Sequence, residues 1–225
     1  WISLFQSMIQ YICYYIGLSA TTGTKGAVLS GTQTFFALIF AHLFLKNDKL
    51  TRQKALGCVC GFAGVLVLGM GGLNGFNLQG DGLVLLSAMS AGAGALVSRI
   101  FTPGRDPMLL TGWQLLLGGL LLGVIGVAGG GRLGAVTLTG VLLLGYMIVL
   151  SAAAFTIWTA LLGKYPVGRV SLFCFLIPVF GAIFSALVLG ENIFTLRNLA
   201  ALAFVSGGIA IANYVREAKN GTKQA

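Results

Sequence analysis

Leu138-Thr-Gly-Val-Leu-Leu-Leu-Gly-Tyr-Met-Ile-Val-Leu-Ser-Ala-Ala-Ala-Phe-Thr-Ile-Trp-Thr-Ala-Leu-Leu-Gly163 holds no charged side chain, and Lys164 closes it. Crossing about 30 Å of hydrocarbon takes roughly 20 apolar residues in a helix, so this stretch is long enough to span a membrane. The rest of the chain makes the same demand. Of 225 residues, 57% are hydrophobic and only 8% charged, and the mean hydropathy is +0.94. A soluble domain carries about 25% charged residues. Too few polar groups remain here to cover a water-facing globule, which excludes a soluble enzyme. The same figures exclude disorder, and four prolines exclude collagen. The expected class is an all-α membrane protein.

Measured with the same ruler, the chain offers eight spans, at about 1–22, 25–45, 54–73, 81–101, 107–130, 138–163, 167–189 and 195–215. The short connections hold nearly all the charge. One set of loops carries Lys46, Lys49, Arg52, Lys54, Arg99, Arg105, Lys164, Arg169, Arg216, Lys219 and Lys223; the alternate set carries Lys25, Arg132 and Arg197. Because Lys and Arg accumulate on the cytoplasmic side, the richer set and the C-terminus are expected there. The net charge of +9 is then a topology signal and not a nucleic-acid patch, which would require neither the alternation nor the intervening spans. Cys13, Cys58, Cys60 and Cys174 lie in apolar stretches without metal or disulfide spacing and read as packing residues.

The chain repeats itself at a shift of 144 residues. Phe36 falls on Phe180, Phe40 on Phe184, Leu43 on Leu187, Leu45 on Leu189, Thr51 on Thr195 and Gly64 on Gly208. The organisation read from this is a partial first repeat of three helices at 1–73, a complete second repeat of five at 80–216, and a cytoplasmic tail at 217–225. Five is odd, so tandem copies must insert upside down relative to each other. Projecting the second copy back predicts two further helices ahead of Trp1, ten in all.

Leu176-Ile-Pro-Val-Phe-Gly181, continuing through Leu187-Val-Leu-Gly-Glu191 to Thr195 and the Gly207-Gly208 helix, resembles the second repeat of the EamA family, within the drug/metabolite transporter superfamily. The resemblance covers nearly the whole chain. It implies a ten-helix secondary transporter of two inverted five-helix repeats, of a kind that mostly exports amino acids and other small metabolites from bacteria. Two positions depart from the pattern: the Glu191 position is Asn47 in the first copy, and the Pro178 position is Thr34.

The acids constrain the chemistry. Asp48, Asp81, Asp106, Glu191 and Glu217 all fall in loops or at helix ends, so no buried carboxylate is expected for a proton relay, and no acidic metal cluster. A charge at the bilayer centre costs about 2.5–3.5 kcal/mol on the insertion scale. His42, the one histidine, lies near the expected cytoplasmic interface. Gly23-Thr-Lys25-Gly26 lacks the Gly-Lys-Ser/Thr order of a phosphate loop and reads as a tight turn, so no ATP site and no cofactor are expected.

In the first span, Ser3, Ser7, Gln10 and Tyr14 share one helix face, with Gln6 beside them. In lipid this stripe would leave amides unpaired, so it should face the bundle or a watery path. The repeat pairs Ser7, Gln10 and Tyr14 with Ser151, Ala154 and Trp158, which predicts that Tyr14 and Trp158 face a common cavity. The second span adds Ser30 and Thr34, and its copy adds Cys174 and Pro178; Gln114 and Thr156 complete the candidate lining. Pro178 removes a backbone bond and is the expected hinge. Spans 54–73 and 195–215 read as peripheral. Gly57/Gly61, Ser90/Gly94, Gly119/Gly123 and Ala203/Gly207 have the spacing of close helix contacts.

The expected function is alternating-access transport, by export, of a small amino-acid-like or amphipathic solute across a bacterial inner or plasma membrane. The expected partners are that solute and the lipid bilayer. Two rivals stand beside it. A scaffold or sensor subunit would show no solute-dependent stabilisation, and a lipid-modifying enzyme would need convergent nucleophiles or acids that these residues do not supply.

Overall fold

The computed structural model describes residues 1–45, 51–69, 76–131, 137–170, 174, 176–190 and 195–214, and no strand occurs among them. A π-helical segment, Leu4–Ile9, runs into α1 (Gln10–Ser19). There follow α2 (Gly23–Gly31), α3 (Gln33–Phe44) and α4 (Arg52–Gly69). A second π-helical turn, Leu78–Gly82, leads into α5 (Leu83–Phe101), followed by α6 (Pro107–Ala128) and α7 (Leu138–Lys164). The chain continues through α8 (Val167–Val170), α9 (Leu176–Leu189) and α10 (Leu196–Tyr214).

Every expected span is helical over its described part. Gly23–Phe44, Leu78–Phe101, Pro107–Ala128 and Leu138–Lys164 are each long and apolar enough to cross a membrane, and Ile177–Leu189 and Leu196–Ile211 are shorter apolar helices. Side-chain caps set the helix starts, since the first N–H groups of a helix lack intrahelical partners. Thr22 accepts from the Lys25 N–H at 3.3 Å, Asp106 from Met108 at 2.8 Å with Pro107 in the first turn, and Thr137 from Gly140 at 3.1 Å. Residues 23–26 therefore open α2 and do not form the expected turn, which lies at 20–22. Gly104, at φ 76°, makes the reversal into α6, a conformation that costs glycine nothing.

The largest helix–helix interface joins α4 to α10, and α2 packs along α9. α5 lies against both α1 and α3. Spans 54–73 and 195–215, expected to be peripheral and rich in close-packing small residues, pack chiefly on each other. Cys58 of α4 and Ala201, Val205 and Ile209 of α10 are buried in one core cluster with Val28, Leu29, Phe35, Leu38 and Val84. Glycine removes the side-chain bulk that would hold the two backbones apart. A Cβ at Gly64 would meet the Ala201 carbonyl and Val205, and one at Gly208 would meet the Gly57 carbonyl and the Gly61 backbone. Adding 144 to 57, 61 and 64 gives 201, 205 and 208, so this contact is reciprocal in the manner of a two-fold interface. Cys60 Sγ, 3.6 Å from the Phe204 carbonyl oxygen, bridges positions that are also 144 apart.

The second expected span, 25–45, is interrupted at Thr32. Between α2 and α3 the Thr32 N–H bonds back only three residues, to Leu29 O at 3.1 Å, and its hydroxyl takes the same carbonyl at 2.6 Å. α9 is described from Leu176 onward and carries Pro178, at the position 144 residues beyond Thr34; proline lacks an N–H and its ring crowds the carbonyl four residues back. Phe36–Phe40 and Phe180–Phe184 form matching stacked pairs, with ring centroids 6.4 and 6.2 Å apart. The environments of the two pairs differ. α5 crosses α3 at Gly92, which leaves no room for a Cβ beside Phe36 and Ala37, whereas Phe180 and Phe184 are exposed. All of 138–150 in α7 is exposed as well.

Candidate functional site

The π-helical segment Leu4–Ile9 is wedged between α5 and α6. Gly94 of α5 leaves no space beyond Gln6, and Gly118 of α6 leaves none beyond Ser7. Both side chains are consequently buried, Gln6 at 5% and Ser7 at 2% exposure. A π turn carries an extra residue and shifts the helix phase. That shift lets polar side chains on neighbouring turns enter the same seam. Ser90 donates to Phe5 O at 2.7 Å, and Ser98 donates to Gln6 Oε1 at 3.2 Å. On the far side of α6, the Thr111 hydroxyl reaches Thr159 of α7 at 3.2 Å.

Other buried polar groups, spread over several helices, are left unsatisfied. Among the described residues, the buried side-chain atoms without a hydrogen-bond partner are Ser7 Oγ, Gln10 Oε1, Thr34 Oγ1, Thr102 Oγ1, Gln114 Nε2 and Ser206 Oγ. Such a group costs about 1–3 kcal/mol when nothing compensates it. Four of the six belong to residues that the sequence marks as cavity lining: Ser7, Gln10, Thr34 and Gln114. They present a carbonyl acceptor, an amide donor and two hydroxyls, and no net charge.

The remaining candidates divide into two sets. Tyr14 packs against the core cluster of Val28 and Phe35, and the Ser30 hydroxyl donates to Gly26 O at 2.7 Å. Cys174 is buried with its thiol toward Gln33 and Thr34, and Pro178 rests on Gly31. Tyr14, Ser30, Thr34, Cys174 and Pro178 thus gather where α1, α2, α3 and α9 meet. Trp158 belongs to a separate cluster with Ala37, Ala41, Ala95, Leu162, Val167 and Val170, apart from Tyr14. Thr156 donates to Ala152 O of its own helix at 2.7 Å.

Asp81 corrects the expectation of no buried carboxylate. It is 2% exposed, and Lys25 Nζ lies 3.5 Å from its Oδ2. Periodicity could not reveal this pair, because its members are far apart in sequence and meet only when α2 and α5 pack. Ser98 was missed for a related reason: it appears as an isolated polar residue near a span end until the fold brings it to Gln6. Asp48, Glu191 and Glu217 lie outside the described residues. No grouping of three or more His, Cys, Asp or Glu side chains fit for a metal occurs among the described residues. A groove of about 790 Å³ runs along α6 past Leu116, Gly119, Leu120 and Gly123, on a face where Leu116 and Leu120 are exposed. Its apolar lining suits lipid tails.

An apolar helical bundle with a buried neutral polar seam defines a multi-pass integral membrane protein. The chain belongs to the EamA-like transporter family, whose pattern matches residues 1–70 and 78–214. It is 30% identical over 191 residues to a protein of Salmonella typhimurium described as a probable amino-acid metabolite efflux pump, covering 80% of this chain and 63% of that one. An Escherichia coli protein of the same description is 28% identical over 204 residues, with 85% and 68% covered. A chloroplastic WAT1-related protein of Arabidopsis thaliana is 29% identical over 197 residues, covering 82% of this chain and 47% of its own. One solved crystal structure shares the fold with a TM-score of 0.71 at 17% identity, over 96% of this chain and 74% of that one. The chain therefore spans 47% of the Arabidopsis relative and 63% of the Salmonella one.

Proposed function

We propose that this protein is a secondary transporter that exports a small neutral or zwitterionic metabolite, amino-acid-like or amphipathic, by alternating access. The observation that carries the proposal is the set of unpartnered buried atoms on Ser7, Gln10, Thr34 and Gln114. A packed scaffold gains nothing by keeping amides unpaired, whereas a solute can complete their hydrogen bonds when it binds. Tyr14, Ser30 and Cys174 extend the lining beside Thr34, and Pro178 with the break at Thr32 supplies the hinge. Thr156 and Trp158 are left out of this lining. Neutral donors and acceptors beside aromatic rings suit a zwitterion better than a fixed anion. The Salmonella and Escherichia coli relatives, named as probable efflux pumps for amino-acid metabolites, favour the same class.

The architecture belongs to the proposal. Residues 1–73 form part of one repeat and 80–216 a second, inverted one, and all eight helical rods cross a bacterial inner or plasma membrane with the 217–225 tail in the cytoplasm. The reciprocal Gly64 and Gly208 contacts and the matched phenylalanine stacks support the repeat. The bare Phe180–Phe184 face, whose counterpart is covered by α5, fits a first repeat that lacks its α5 equivalent within this chain.

The test is counterflow of pooled 14C-labelled amino acids in proteoliposomes. Saturable exchange is expected, falling at least tenfold in Gln10→Leu and Gln114→Leu with the yield of folded protein unchanged. Exchange at the parent rate in both variants would remove these residues from the site. Absence of exchange in the parent would sink the amino-acid reading.

A further inference from the structure

The buried carboxylate of Asp81 plays no part in the solute site. It stands at the end of the bundle where α1 turns into α2, and three groups converge on it. The Thr21 hydroxyl donates to Oδ1, the Asn77 backbone N–H donates to Oδ2 at 2.9 Å, and Lys25 Nζ lies 3.5 Å from Oδ2. Asn77 Nδ2 adds a bond to Ala20 O at 3.3 Å. The backbones beneath are in direct contact: a Cβ at Gly80 would meet the Ala20 carbonyl, and one at Gly17 would meet the Gly80 carbonyl and the Val84 nitrogen.

The two sides of this joint belong to different halves of the chain. Thr21 and Lys25 fall in the stretch 1–70 that matches the family, and Asp81 in the stretch 78–214. A permanent seam between them would need only apolar packing, as α4 and α10 have. A charged pair at a bundle end behaves differently. Lys25 keeps 17% of its side chain exposed, so when the joint parts both charges can exchange their partner for water, a substitution that costs little for pairs near solvent. While the joint is shut, the carboxylate is dry and held from three directions, which fixes the closed geometry.

We propose that Thr21, Lys25 and Asp81 form a latch between the two halves. It holds this end of the bundle shut and is released when the halves rock apart. The inference rests on the transporter reading, and two measurements separate it from that reading. The first is labelling of Val84→Cys, a fully buried position one turn inward from Asp81, by a polar maleimide in detergent, with the parent chain's labelling subtracted. Adding Asp81→Asn is expected to speed the reaction at least tenfold; an unchanged rate overturns the latch. The second is uptake of pooled 14C-labelled amino acids by Thr21→Cys/Asp81→Cys, which places two sulfurs within reach of each other. The oxidised form should stop transporting and recover with reductant; transport at the reduced-form rate overturns the latch. Should the parent fail to take up the pool, the amino-acid reading falls, and the Val84 labelling decides the latch.

Discussion

Gln114 has opposing consequences at the scale of one residue. Its amide nitrogen is buried without a partner, so Gln114→Leu removes a penalty of about 1–3 kcal/mol while abolishing a donor that the solute would use. The expected result is a melting temperature in detergent that is equal or higher, paired with lost transport. A fall in both would make Gln114 a structural residue. Glycines give a second contrast. Gly208 has the Gly57 and Gly61 backbones against it, so Gly208→Val forces α4 and α10 apart, and overpacking of this kind costs about 1–3 kcal/mol. Gly119 has nothing within 4 Å, so Gly119→Ala should be neutral or slightly stabilising, given a helix preference for alanine of about 1 kcal/mol. Thermal melts of the two variants check the pair. The sequence ranks Gly57/Gly61, Ser90/Gly94, Gly119/Gly123 and Ala203/Gly207 alike. Only the first two pairs meet a neighbouring helix, because spacing defines a helix face and not what lies opposite it.

The helix break is the informative element. Thr32 interrupts the span of α2 and α3 through a hydroxyl that takes the Leu29 carbonyl, and Pro178 stands in α9 at the position 144 residues beyond Thr34. If both are hinges, Pro178→Ala stiffens α9. Exchange should slow several-fold, with solute affinity within about twofold of the parent because no lining group is removed. Counterflow rates set beside solute-dependent melting shifts measure the two quantities separately. A parent-like rate would leave Pro178 as a packing residue on Gly31. The sequence marks this proline because it removes a backbone hydrogen bond inside an apolar run; its contact with Gly31 of α2 becomes visible only when the two helices pack.

For the molecule as a whole, orientation is the property most directly checked. Ala20 lies at the latch end and Pro103 at the opposite end of α5, and both are exposed. The Lys and Arg distribution predicts that position 103 is cytoplasmic. In intact cells, Ala20→Cys should react with an impermeant maleimide, and Pro103→Cys only after permeabilisation; the reverse pattern would invert the topology. The asymmetry between halves operates at the same scale. α5 covers α1 and α3, while residues 138–150 of α7 and Phe180 and Phe184 of α9 are exposed.

What the sequence determined by itself is what one-dimensional pattern can encode. Long uncharged runs dictate membrane helices because unpaired backbone cannot enter hydrocarbon, and the 144-residue repeat pairs positions that the structure brings into reciprocal contact. The polar stripe of the first span is legible for the same reason, as Ser7, Gln10 and Tyr14 lie on one helical face. The tertiary structure alone decided which of these groups keep a partner, that Trp158 stands apart from Tyr14, that α4 and α10 form the main seam, and that Asp81 meets Lys25. Each of those outcomes depends on which helix lies opposite. Packing complementarity between distant segments sets that, and no local period records it.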